Sequence, residues 1–103
     1  MLKNYKHIKQ IIVNKKYKLF IADTYLKKRK GLSGLRSIPN NTGMIFVYGK
    51  EEKDRIFTMK NVMFPLKIIF LNKANEVVYS VIARPGQRIL CKKPSMYVVE
   101  IPV

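Results

Sequence analysis

The chain has 103 residues, enough for one domain with a modest core. Its composition is ordinary apart from charge: 21 Lys and Arg against 6 Asp and Glu give a formal net charge of +15. No apolar run is long enough for a membrane-spanning helix, the start MLKNYKHIKQ carries no apolar signal-peptide core, and the single cysteine, Cys91, excludes an internal disulfide framework. A cytoplasmic location, or a place within a particle assembled there, is the expectation.

Residues 1–7 read as a loose basic arm, and 8–103 as a single β-rich domain. Ile8 to Val13 and Tyr17 to Ala22 form a first pair of strands about a turn at Asn14-Lys15-Lys16, where Asn tolerates positive φ. Asp23 and Thr24 are N-cap residues for a short helix near 24–30. Lys27, Lys28, Arg29 and Lys30 suit its negative C-terminal dipole, and Gly31 suits the position after it.

The stretch Leu32–Thr42 is rich in turn formers, with Leu32, Leu35 and Ile38 placed to plug it onto the core. Met44–Tyr48 is apolar on both faces, so the strand it forms is buried on both sides. GKEEKDR (49–55) is a charged hairpin tip leading back into Ile56, Phe57 and Met59. Lys60-Asn61 opens a turn ending at Pro65. Leu66–Leu71, Val77–Ala83 and Met96–Ile101 supply further strands, and Arg84-Pro85-Gly86-Gln87 has type II turn chemistry. The fold class is mostly β: a small curled antiparallel sheet or barrel with one short helix, and Met44, Phe46, Phe57, Leu66, Ile68, Phe70, Val78 and Val99 in one core.

The ordered motifs resemble a known family. Ala22-Asp23-Thr24, Gly31-Leu32, Gly43-Met44, Met59-Lys60-Asn61, Pro65–Phe70 (PLKIIF), Val77-Val78 and Tyr97–Glu100 (YVVE) look like the domain-of-unknown-function 192 family, matched from about Phe20 to Glu100. The resemblance implies a compact mostly-β fold with one short helix and carries no established activity. Lys67 stands where the family usually has Asp, and Thr58 where it usually has an aromatic residue. Relatives usually continue past the closing Glu, so this copy resembles a pared-down member.

Chemistry is sparse. One His (His7), one Cys (Cys91) and scattered acids make neither a four-ligand metal site nor a nucleophile–base pair, and no phosphate-binding glycine loop is present. No catalytic residue, metal or cofactor is expected. Lys60 and Asn61 are candidates for a ligand mouth, with Gly31 and Gly43 allowing close backbone approach and Glu100 facing Lys60. Turn chemistry explains the same pair fully and is the favoured account, and Glu100 in the last strand then needs a Lys or Arg partner for structural reasons.

Ten basic residues fall in the first thirty positions against one acid, Asp23. Lys15, Lys16, Lys18, Lys27, Lys28, Arg29 and Lys30 are expected to form one solvent-facing surface for a polyanion, either nucleic acid or an acidic protein face. The competing account is AT-rich coding bias, since Lys far outnumbers Arg. Three functions stand: a non-enzymatic interaction module using the basic N-terminal third; a cement, decoration or connector component of an assembly such as a viral or phage particle; and a small-ligand or enzymatic domain using Lys60-Asn61.

Overall fold

The structure is a computed structural model, and it describes residues 2–103. In chain order the elements are β1 (His7–Ile12), β2 (Lys15–Ala22), α1 (Tyr25–Lys30), β3 (Thr42–Glu52), β4 (Arg55–Thr58), β5 (Leu66–Leu71), β6 (Val77–Ala83), β7 (Arg88–Cys91) and β8 (Ser95–Pro102). A six-stranded sheet has the order β1-β2-β3-β8-β5-β6, and β4 and β7 form a separate two-stranded sheet. The mostly-β class with one short helix holds. The sheet curls without closing into a barrel: β1 is bonded only to β2, and β6 only to β5.

The expected all-antiparallel pairing is corrected at one ladder. β2 and β3 run parallel, with Phe20 opposite Met44. Two neighbouring strands can run parallel only if the chain crosses back between them, and α1 with the loop behind it makes that crossing. The helix is held by its ends. The Thr24 side chain accepts from the Lys27 amide at 3.2 Å, and the Gly31 N–H donates to the Lys27 carbonyl at 2.9 Å with φ at 50°. None of its six residues is buried.

The β3–β4 hairpin is also corrected. The chain does reverse, at Lys53 and Asp54, with Asp54 at φ 59°. But β3 carries a register shift between Val47 and Glu52, and β4 leaves it to pair with β7. The bulge bends β3 and swings β4 over one face of the large sheet. The first turn sits one residue earlier than expected: Ile12 faces Lys15, so Val13 and Asn14 form a two-residue turn at φ 48° and 64°. The other turns match their residue types, with Asn61, Asn75 and Gly86 at positive φ. The basic arm is not loose. Leu2 is buried, Tyr5 packs on the core, and the Lys6 carbonyl accepts from the Ile21 amide at 2.8 Å.

The single expected core is two. Strand alternation sends Met44, Phe46, Leu66, Ile68, Phe70 and Val98 to the face covered by α1, the loop and the β4–β7 sheet. Ile45, Ile69, Leu71, Val99 and Ile101 go to the other face with Tyr17 and Leu19. Val99 therefore belongs to the second cluster, while Val78 is only partly buried against the first. On the covered face Phe57 meets Phe46 and Phe70 edge-on, at 5.0 and 5.6 Å between ring centroids.

Candidate ligand cleft

A cleft of about 490 Å³ opens on the covered face, between the end of α1 and the β4 sheet. Phe46 and Tyr48, two apart on β3, lie on one side of their strand and form the aromatic part of its floor. The last turn of α1 forms one wall with Lys28, Arg29, Lys30 and Gly31. The Lys60-Asn61 turn forms the opposite rim, tied down where Gly34 donates to the Asn61 carbonyl at 2.9 Å and Lys60 N to Thr58 Oγ1 at 3.1 Å.

Glu100 lies at the base. It shares a strand face with Val98, and its cross-strand neighbours are Met44 and Ile68, both fully buried. Only 4% of Glu100 is exposed. Burial pushes its carboxyl up to about 8, and among the described residues no ion pair offsets it. The expected Lys or Arg partner is thus corrected: among the described residues the single ion pair is Lys50–Glu52, exposed and at 3.9 Å.

The nearby cations are engaged elsewhere. Lys28 Nζ donates to the Val47 carbonyl at 3.0 Å and sits 4.4 Å from the Tyr48 ring. Arg55 lies 3.7 Å from that ring and donates to the Ser95 and Lys50 carbonyls. Burial raises the Tyr48 hydroxyl as well, and the Glu100 charge adds to that while Arg55 opposes it.

Four of the five ligand-mouth candidates, Gly31, Lys60, Asn61 and Glu100, line this one cleft. Gly43 does not. A Cβ there would run into the Glu100 backbone carbonyl, Ile101 and Leu19, so its role is close strand packing toward the other face. Gly31 has little spare room either, since a Cβ would lie 3.3 Å from the Phe46 ring. Phe46 was singled out from sequence only as a core residue and Tyr48 not at all, although the alternation of β3 already puts the two aromatics on one side.

The seven basic candidates do not form one solvent-facing surface. Lys15 lies on the other face of the sheet from Lys16 and Lys18, because they alternate along β2, and its Nζ donates to the Asn40 carbonyl at 3.1 Å. Lys18 and Lys27 are half-buried over Phe20 and Tyr5, at 5.2 and 4.9 Å, and Lys28 is half-buried in the cleft wall. Long alkyl stems lie on apolar surface while the ammonium finds a ring or carbonyl. Lys16, Arg29 and Lys30 are exposed.

Cys91 is buried and bonded to the Lys93 carbonyl, while His7 packs edge-on against Phe20. Among the described residues no three His, Cys, Asp or Glu gather as a metal site, and no helix is long and apolar enough to cross a membrane.

Two solved structures share the fold. A protein of unknown function from Novosphingobium aromaticivorans DSM 12444 is 21% identical, with a TM-score of 0.77 over 95% of this chain and 73% of that one. A protein of Sinorhizobium meliloti 1021, named as a candidate transcription regulator, is 22% identical, with a TM-score of 0.80 over 96% of this chain and 81% of that one. At such identities the likeness is one of fold. Comparison with curated proteins gives no match. The family profile of DUF192, described as uncharacterized ACR, spans residues 8–103, and the chain belongs to that family.

Proposed function

We propose that this domain is a binding module whose site is the cleft between α1 and the Lys60-Asn61 turn, and that it takes a small anionic ligand. The observation that carries this reading is Glu100: a carboxyl 4% exposed, without an ion-pair partner among the described residues, at the base of a cleft of about 490 Å³. A buried polar group without a partner costs stability, and cleft volumes of roughly this size suit small molecules. Arg29, Lys30 and Lys60 on the rim favour an anionic head. Protonated Glu100 then donates to a second polar group of the ligand, and Phe46 and Tyr48 offer ring surface between the two ends.

The test is amide chemical-shift mapping with a set of phosphate monoesters and aromatic carboxylates. Saturable shifts at Gly31, Lys60 and Asn61, lost in Lys60→Gln, support the reading. A set that moves no cleft amide would overturn it.

A second reading keeps the polyanion surface, favoured by Lys16, Arg29 and Lys30, which are exposed with no ion pair among the described residues. Binding to a nonspecific DNA or RNA fragment at ~50 and ~200 mM salt separates the two, because several phosphate contacts would lower affinity by orders of magnitude over that range.

A further inference from the structure

The six-stranded sheet has two unpaired edges, and both flank one trough on the face opposite the Glu100 cleft. β1 bonds only β2, and β6 bonds only β5, so each leaves a row of backbone amides and carbonyls unused along its outer side. Gln10 and Ile12 of β1 and Val77 and Ser80 of β6 line the same groove, of about 390 Å³, over a floor that includes Ile69 and Val99. A second groove of about 340 Å³ sits beside it, bounded by Ile12 and Ile82. Lys67 lines both, so the two form one trough running between the strand edges.

The charged side chains that line this trough have one sign. Lys67 is half-buried and has no carboxylate partner among the described residues. Lys15 lines the trough as well, and β1, β2, β5 and β6 contain no acid. Ile11, Val13, Val77 and Ile82 are exposed along the same two edges.

We infer that the trough receives an extended acidic segment of another protein as an added strand, its backbone bonding β1 or β6 and a carboxylate meeting Lys67. A strand answers all three features together. Its amides and carbonyls pair the open edge, alternate apolar side chains reach the floor, and an acid neutralises Lys67. A lipid carboxylate would leave the edges unpaired. A second copy would bring another +15 chain against this one and set like charges near each other across the new ladder.

The test is selection from a displayed library of random peptides about ten residues long, enough for one strand. The full chain serves as bait. The expected peptides alternate apolar residues and carry Asp or Glu. Their binding slows hydrogen exchange at amides of β1 or β6 and leaves the amides of Gly31, Lys60 and Asn61 unmoved. Lys67→Glu weakens them about tenfold or more, and Lys67→Gln by less, with circular dichroism confirming both folds. Selected peptides without acids, affinity unchanged in both variants, protection away from β1 and β6, or no selected peptide at all would each overturn the inference. So would a concentration-dependent dimer that protects the same amides in the absence of peptide.

Discussion

Replacing Glu100 with Gln keeps the shape of the side chain and removes the proton it exchanges. In the unfolded chain this carboxyl has its ordinary value of 4.5, and in the folded one it is held near 8. Below both values each state is protonated and nothing is gained or lost. Between them the folded state keeps a proton that the unfolded state gives up, so stability falls as pH rises, and the penalty is complete above about 8. The slope is at most about 1.4 kcal/mol per pH unit, so between pH ~5 and ~8 the wild-type chain should lose roughly 2–4 kcal/mol. That is a large part of the ~5–15 kcal/mol that holds a domain of this size together.

In Glu100→Gln this loss should vanish, and the variant should be the more stable protein at about pH 8.5, provided the amide finds water in the cleft. The assay is urea unfolding of both proteins at about pH 5.5, 7 and 8.5, read as a shift of midpoint at constant m-value. The difference between the two proteins cancels the titrations they share. Parallel pH profiles would refute the reasoning, since they would mean that Glu100 is ionised in the folded state at neutral pH, paired or well hydrated.

Other substitutions probe the frame around the site. Val13 is β-branched, 80% exposed and at φ 48°, so Val13→Asn should stabilise by about 1 kcal/mol and raise Tm by roughly 4 °C or more. Calorimetry decides it, and an unchanged or lower Tm would show that the turn holds no strain. Gly43→Ala should cost about 3 kcal/mol or more, because the added carbon meets the Glu100 carbonyl in the neighbouring strand β8; a near-neutral result in denaturant would show that β3 and β8 can move apart there. Phe46→Ala should cost roughly 3–5 kcal/mol by unfolding titration, as the ring is 2% exposed and packed edge-on against Phe57, and a loss under about 1 kcal/mol would contradict that packing.

Much of the fold was legible because local rules and tertiary demands agree. Thr24 and Gly31 bound the helix, Pro85-Gly86 makes its turn with Gly86 at φ 85°, and Asn61 takes the left-handed position its residue type allows. What escaped was relational. Nothing in Lys15–Ala22 or Thr42–Glu52 says whether they run parallel, since that depends on where α1 and the following loop carry the chain. One core was expected where there are two, with Val99 in the second, because both faces of the central strands are apolar and alternation alone does not show that each face buries its own cluster. The cleft was half-legible: the Lys60-Asn61 turn and Glu100 stand out by type. The turning inward of Lys28 does not, because a lysine at a helix end is ordinarily a solvated one.

The position of β8 has a consequence for the order in which the molecule can be built. It is the last of the eight strands to leave the ribosome, yet it lies between β3 and β5 at the middle of the sheet. Until it emerges, β1-β2-β3 and β5-β6 are two fragments, each with an uncovered inner edge and neither with a complete core. Folding must therefore wait for the final segment and then close contacts across much of the chain at once, which favours slow, late collapse. During synthesis the bare edges of β3 and β5 are the places where aggregation or a chaperone would act first.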